Sequence, residues 1–279
     1  MSTVLITGCS TGFGKLAALS FARQGHTVFA SMRNLAKAGP LKDAAAAEGL
    51  KIAVVALDVE DHASIERAVS EVAAEAGTID IVVNNAGMEV RGPIEEVSDA
   101  EARRQFDTNV FGLLGMVRAV LPAMRERGSG VIVNVSSIGG LVAAPFAGLY
   151  SASKHAVEAI TEALHYEVRP FGVRVAVIEP GGFATDFGAN ATDAGAFGAS
   201  SPYRGPADRF EAALGTLAPD GEPGDPQLVA DAIVRVATDD DAPLRTLVGA
   251  DAELIMSVRI TTDFETFEQT MRATLNWWD

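Results

Sequence analysis

Apolar residues follow two rhythms along this chain. Short, nearly unbroken runs rich in β-branched side chains occupy Val4–Thr7, Thr27–Ser31, Ile52–Leu57, Ile79–Val83, Val131–Val135, Val173–Ile178 and Thr246–Val248. Runs without polar alternation fit strands buried on both faces of a sheet. Between them lie longer, Ala-rich stretches with helical spacing: Lys15–Gln24, Leu35–Glu48, Ala63–Ala76, Ala100–Arg127, Tyr150–Val168 and Pro226–Thr238. Pro170 and Gly172 stop the fifth helix before the next strand. Alternating strands and helices predict βαβ units with right-handed crossovers and helices on both sides of a parallel sheet. The expected fold is one doubly wound, Rossmann-type α/β domain over residues 1–279, with seven parallel strands.

One segment breaks the rhythm. Residues 186–226 are rich in Gly, Ala, Pro and Asp, with Phe187, Phe197, Tyr203 and Phe210 scattered through them. A loop of that length in a compact domain is functional or disordered. It follows Pro180–Thr185, so it is expected to be a mobile lid whose aromatic residues gain contacts when an apolar substrate arrives. Residues 250–279 form a C-terminal extension ending in Trp277-Trp278, which either seals a subunit interface or is a packed or frayed chain end.

Composition narrows the function classes. A 279-residue chain with 48% hydrophobic content can bury a large core. Its formal net charge of −15 argues against binding nucleic-acid phosphates or an anionic membrane surface, and favours solubility. The single cysteine, Cys9, allows no internal disulfide and reads as a small packing residue in a reducing compartment. There is no basic segment leading into a long apolar stretch, and no run long enough to span a bilayer, so a cytoplasmic location is expected. His26, His62, His155 and His165 lack metal-ligand spacing, and no metal is expected.

The first strand runs into Thr7-Gly8-Cys9-Ser10-Thr11-Gly12-Phe13-Gly14, followed by a helix. Glycines there permit a tight turn close to a pyrophosphate, and the helix N-terminus offers N–H groups to phosphate. The spacing is Gly-x-x-x-Gly-x-Gly rather than Gly-x-Gly-x-x-Gly. After the second strand the sequence reads Ser31-Met32-Arg33-Asn34, with no carboxylate to hold a ribose 2′-hydroxyl. Arg33 instead offers a planar fork to a 2′-phosphate, which points to NADP(H). Asp58, followed by Val59, closes the third strand and either meets the adenine amino group or caps the next helix. Asn84-Asn85-Ala86-Gly87 closes the fourth strand, where ligands sit in open α/β sheets.

Tyr150 and Lys154 are four residues apart on one helix face, so an ammonium can favour the phenolate and ease proton exchange. Tyr-x-x-x-Lys is a common pair, and context gives it meaning. Ser136-Ser137 sits just past the fifth strand and can join Tyr150 in clamping a carbonyl oxygen. Met88 and Val90 after the Asn-Asn-Ala-Gly turn, and Leu141, Val142 and Phe146 before Tyr150, are expected to wall an apolar substrate. Glu89 and Arg91 stand nearby.

These pieces, with Asn109 and Pro180-Gly181, come in an order that resembles the short-chain dehydrogenase/reductase family from Val4 to about Thr185. The resemblance implies that Tyr150 donates or accepts the proton, Lys154 binds the nicotinamide ribose, Ser137 polarises the carbonyl and Asn109 holds a relay water. It implies that Gly8, Ser10, Thr11, Gly12, Phe13, Gly14, Asp58, Val59, Asn85, Ala86 and Gly87 contact the cofactor. Pro180, Gly181, Phe183 and Thr185 would line its nicotinamide. Ser31-Met32-Arg33 is similar to NADP-preferring members, and Leu247–Ala252 with the tail resembles the 17β-hydroxysteroid and retinol dehydrogenase branch. A homodimer or homotetramer is implied, with Ala100–Arg127 and Tyr150–Val168 in contact. The expected activity is hydride transfer between NADP(H) and a secondary alcohol or ketone of an apolar substrate. Two alternatives are a 3-oxoacyl thioester reductase and a nonenzymatic NADP(H) sensor. The first should want basic residues for an acidic carrier, yet residues 187–225 carry only Arg204 and Arg209.

Overall fold

The seven predicted strands form one parallel sheet in the computed structural model, which describes residues 1–217 and 223–277. In chain order the elements are β1 (Thr3–Ile6), α1 (Gly12–Arg23), β2 (Thr27–Met32), α2 (Gly39–Ala47), β3 (Ile52–Ala56), α3 (His62–Ala76) and β4 (Ile81–Asn84). Then come β5 (Val90–Arg91), α4 (Asp99–Phe106), α5 (Gly112–Arg127), β6 (Gly130–Val135), α6 (Gly148–Val168) and β7 (Val173–Pro180). The chain continues with α7 (Asp186–Asn190), β8 (Thr192–Asp193), α8 (Arg204–Gly215), α9 (Gln227–Thr238), β9 (Arg245–Val248), α10 (Ala250–Arg259) and α11 (Phe264–Leu275).

The sheet order is β3-β2-β1-β4-β6-β7-β9. The chain steps outward from β1 to β3, crosses back to β4, and steps outward the other way. The loops after β1 and β4 therefore diverge and leave a crevice at the carboxyl ends of the strands. Alternation along β1 explains why both faces are covered. Val4 and Ile6 point into one core with Phe21 of α1, Leu41 of α2 and Ile233 of α9. Leu5 points into the other, with Ile65 of α3, Met116 of α5 and Val157 of α6. Each such fully buried side chain contributes roughly 1.5–3 kcal/mol. Among the described residues, no helix is long and apolar enough to cross a membrane.

Several elements depart from the pattern. The helix expected over Ala100–Arg127 is interrupted by a widened turn at Asp107–Phe111, where the Gly112 N–H reaches back five residues to the Asp107 carbonyl. Such widened turns cluster at functional sites. The stretch Leu35–Glu48 starts as a short 3₁₀ turn capped by Asn34 before α2 begins at Gly39-Pro40. Asp61, not Asp58, caps α3, its carboxylate accepting from the Ala63 N–H at 2.9 Å.

Residues 186–226 are not a structureless loop. They carry α7, β8 and α8, and β8 pairs with β5 as a small parallel ladder; residues 218–222 lie outside the described residues. All four aromatic residues have partners: Phe187 meets the Tyr150 ring at 5.9 Å, and Tyr203 donates to Glu95 and packs against the small core that holds Phe197. Phe197 stacks on Phe146 at 6.4 Å, and Phe210 meets the Trp277 ring at 5.1 Å. Trp277 is thus the packed end of the tail, 8% exposed; Trp278 lies outside the described residues.

Candidate active site

The glycine loop after β1 is built against β4. Asn85 Nδ2 donates to the carbonyls of Thr7 and Gly8 at 2.8 and 3.1 Å, and Thr7 Oγ1 accepts from the Asn85 and Ala86 N–H groups at 3.0 Å. Asn85 therefore spends its amide on holding the loop. Gly8 has φ +73° and a Cβ there would stand 2.9 Å from Ala86 Cα. A Cβ on Gly14 would lie 2.5 Å from Asn85 Nδ2 and 2.6 Å from the Gly8 oxygen, so the helix docks closely only because that position is glycine. Gly14 lies behind the crevice rather than in its wall. No side chain caps α1, since Thr11 is extended and makes no cap hydrogen bond. Its first-turn N–H groups are left to face the crevice.

One cavity of about 1320 Å³ runs along the carboxyl ends of the strands. Its walls include Gly8, Ser10, Thr11, Gly12 and Phe13 from the first loop, and Arg33, Asp58 and Val59 beyond β2 and β3. Asn85, Ala86, Gly87, Ser137, Tyr150 and Lys154 form its floor, and Pro180, Gly181, Phe183 and Thr185 close the far side. Of the anticipated catalytic and cofactor residues, only Gly14 and Asn109 are not part of the wall. The Arg33 end also holds Lys37 and Glu60. Arg33 reaches Glu60 at 3.8 Å, an exposed pair with its side chain 62% accessible. Such a pair costs little to break when a better anion arrives. Asp58 Oδ1 accepts from the Glu60 N–H at 3.1 Å, an ordering of its own turn.

At the other end, the first turns of α6 present Tyr150 and Lys154 side by side, with Lys154 Nζ 5.7 Å from the Tyr150 ring centre. Lys154 is buried and donates to the Val135 carbonyl at 2.9 Å. Burial pushes its ammonium down to about 8, against the pull of the Glu158 and Glu89 carboxylates. Burial pushes the Tyr150 phenol up, a hydrogen bond with Ser137 opposes this, and Glu89 adds to it. Tyr150 therefore keeps its proton at neutral pH. Ser137 Oγ accepts from the Gly139 N–H at 3.0 Å, which fixes the hydroxyl beside the tyrosine ring.

Asn109 acts on backbone. Its Oδ1 accepts from Met88 N at 2.8 Å, and its Nδ2 donates to Met88 O at 2.9 Å and to Ser153 Oγ at 3.0 Å. Ser153 in turn donates to the Tyr150 carbonyl at 2.7 Å. The widened turn at Asp107–Phe111 is what carries Asn109 to this position. Ser153 was not singled out by sequence, although it lies one turn beyond Tyr150 on α6. Asp251 at the start of α10 was also missed. It accepts from the Gly182 N–H at 2.7 Å and fixes the stretch after Pro180.

The apolar part of the cavity differs from expectation. Met88, Val142, Phe187 and Phe210 line it, but Val90, Leu141, Phe146, Phe197 and Tyr203 do not. Val90 and Phe197 are buried in a separate small core with Phe146 and Tyr203 packed against it. Phe146 adopts φ +61°, a strained conformation for a large side chain, held by ring contacts to Phe197, Phe210 and Trp277. The missing wall comes from Leu214 of α8 and from the tail, which supplies Ile255, Phe264, Phe267, Met271 and Leu275.

An elongated dinucleotide fits this arrangement. The crevice offers an uncapped helix N-terminus and glycines without side chains, and a Cβ on Gly12 would already touch Thr185 across it, so a side chain there would take up space in the crevice. Residues 2–195 match the family model described as short chain dehydrogenase. A 3-ketodihydrosphingosine reductase of Bacteroides thetaiotaomicron is 36% identical over 255 residues, covering 91% of this chain and 90% of the relative. Retinol dehydrogenase 8 of Bos taurus is 41% identical over 189 residues, covering 66% of this chain and 60% of the relative. Among solved structures, a short-chain dehydrogenase from Streptomyces avermitilis matches with TM-score 0.81 and 35% identity, over 99% of this chain and 96% of that one. A gluconate 5-dehydrogenase from Burkholderia cenocepacia, in complex with NADP and tartrate, matches with TM-score 0.76 and 27% identity, over 91% and 95%.

Proposed function

This chain belongs to the short-chain dehydrogenase family, and on that premise we propose that it transfers hydride between NADP(H) and a secondary alcohol or ketone carried on an apolar substrate. The observation that carries this reading is Tyr150 beside Ser137 in the wall of a long cavity, with buried Lys154 one helical turn along α6. Bound NADP(H) supplies or takes up the hydride. In the reducing direction, Tyr150 gives its proton to the carbonyl oxygen as negative charge develops there, and Ser137 donates a hydrogen bond to the same oxygen. The Lys154 ammonium stabilises the phenolate left behind and binds the nicotinamide ribose. Asn109 and Ser153 hold the Met88 and Tyr150 backbones, so the reacting groups need no rearrangement during the step.

The preference for NADP(H) rests on Arg33, with Lys37 near it, and on the lack of a carboxylate closing β2. A charge-assisted hydrogen bond to the 2′-phosphate is worth roughly 1.5–3 kcal/mol, or about ten- to a hundredfold in affinity. Arg33→Ala is therefore expected to remove most of the preference for NADPH over NADH, read as the ratio of kcat/KM for the two cofactors. Equal kcat/KM in the wild type would refute the assignment.

A further inference from the structure

The cavity beyond Tyr150 has apolar walls and, among the described residues, a carboxylate that no direct ion pair or hydrogen bond satisfies, that of Glu89. Glu89 lines it beside Met88, and its charge acts on both the Tyr150 hydroxyl and the Lys154 ammonium. The backbone around it is fixed at three points. Asn109 holds Met88 on both sides of its peptide unit, Gln105 Oε1 accepts from the Val90 N–H at 2.6 Å, and the Glu89 carbonyl accepts from the Thr192 N–H at 3.0 Å. Neither nearby cation pairs with it directly: the Lys154 ammonium donates to the Val135 carbonyl. The Arg91 guanidinium turns to Asp193 at 3.0 Å and to Glu211 at 3.8 Å. No hydrogen bond or ion pair reaches the Glu89 carboxylate from the described residues, and burial pushes its carboxyl above the ordinary range.

A desolvated carboxylate without a partner is costly, and a cation brought in by a ligand recovers that cost. The other ionisable groups near this end point the same way. Asp186, Glu211 and Glu268 line it, while the cationic wall residues other than Lys154 are Arg33, Lys37 and Arg104. Arg33 and Lys37 belong to the stretch after β2, and Arg104 lies one turn before Thr108, whose hydroxyl donates to Glu60. An anionic substrate would therefore meet repulsion here, and a neutral one would leave Glu89 unpaired.

We propose that the substrate carries a protonated amine within a few bonds of its carbonyl or hydroxyl carbon, on a long apolar chain, and that Glu89 binds this amine. The proposal deepens the reading of Tyr150 as the acid and rests on it. The chain extends toward Phe210, Phe267, Met271 and Leu275, and the ammonium sits at the entrance to that apolar region, next to the reacting carbon.

Binding and turnover separate this proposal from the reading beneath it. Calorimetric titration of the full-length protein with a long-chain 2-amino alcohol and with the matching 2-methyl alcohol needs no reaction. The amine is expected to bind about ten- to a hundredfold more tightly, and Glu89→Gln should bring the two affinities close together. Equal affinities in the wild type, or a preference that survives in Glu89→Gln, would overturn the proposal. Reduction of the neutral 2-methyl ketone by NADPH reports separately on Tyr150. If that ketone is reduced but amine and neutral ligands bind alike, Glu89 has no such role and the Tyr150 reading stands.

Discussion

Tyr150→Phe is expected to lower turnover by about 10²–10⁴-fold while NADP(H) affinity stays nearly unchanged. The substitution removes one oxygen and keeps the ring, which packs 5.9 Å from the Phe187 ring and shields the Lys154 ammonium. The loss should fall on kcat, because the proton is needed as charge develops and hardly at all in the bound ground state. Fluorescence titration with NADPH beside steady-state rates checks both halves. A variant that keeps a tenth of wild-type turnover would assign the acid to another group.

Lys154→Ala is expected to damage two quantities together. Removing a preorganised cation next to the developing phenolate costs on the order of 10²–10³-fold in kcat, and losing a charge-assisted hydrogen bond to the cofactor weakens NADPH binding by about tenfold or more. The pH dependence gives a sharper reading. Burial holds the Lys154 ammonium down at about 8. This group works in its charged form, so kcat/KM for reduction should fall as pH rises through about 8. That limb should be missing from the profile of Lys154→Ala. A wild-type profile flat across this range would show that Lys154 is not the group whose charge matters.

The contrast between Tyr150–Lys154 and Asp251 shows what sequence makes legible. Tyr150 and Lys154 share one helix face through their spacing, and the glycine loop is a contiguous strand-to-helix turn, so local geometry follows directly from residue order. Asp251 fixes Gly182 across 69 residues, a contact that follows from the placement of α10 beside the stretch after β7 and leaves no local mark. The distal wall was hidden for the same reason. Phe267, Met271 and Leu275 show an ordinary amphipathic stripe, and only the folded chain places it over the cavity. The break in the Ala100–Arg127 helix coincides with Asn109's bonds to Met88 and Ser153, long-range contacts that leave no mark in the local residue pattern. Phe146, Phe197 and Tyr203 were read as substrate contacts because loop aromatics often are, but they find partners in one another and in the tail. The seven strands of the sheet, by contrast, were readable, though their order was not. Uniformly apolar runs favour burial on both faces, and the central β1 is buried throughout while the edge strand β3 is only partly so.

The most direct measurement is isotope transfer. Purified protein is incubated with a long-chain ketone and NADPH deuterated at the transferable position, and the product alcohol is analysed by mass spectrometry. The structure predicts deuterium at the carbinol carbon with the wild type and at most about a hundredth of that rate with Tyr150→Phe. Transfer at the same rate in both proteins, or no transfer by the wild type to long-chain ketones with or without an adjacent amine, would contradict it.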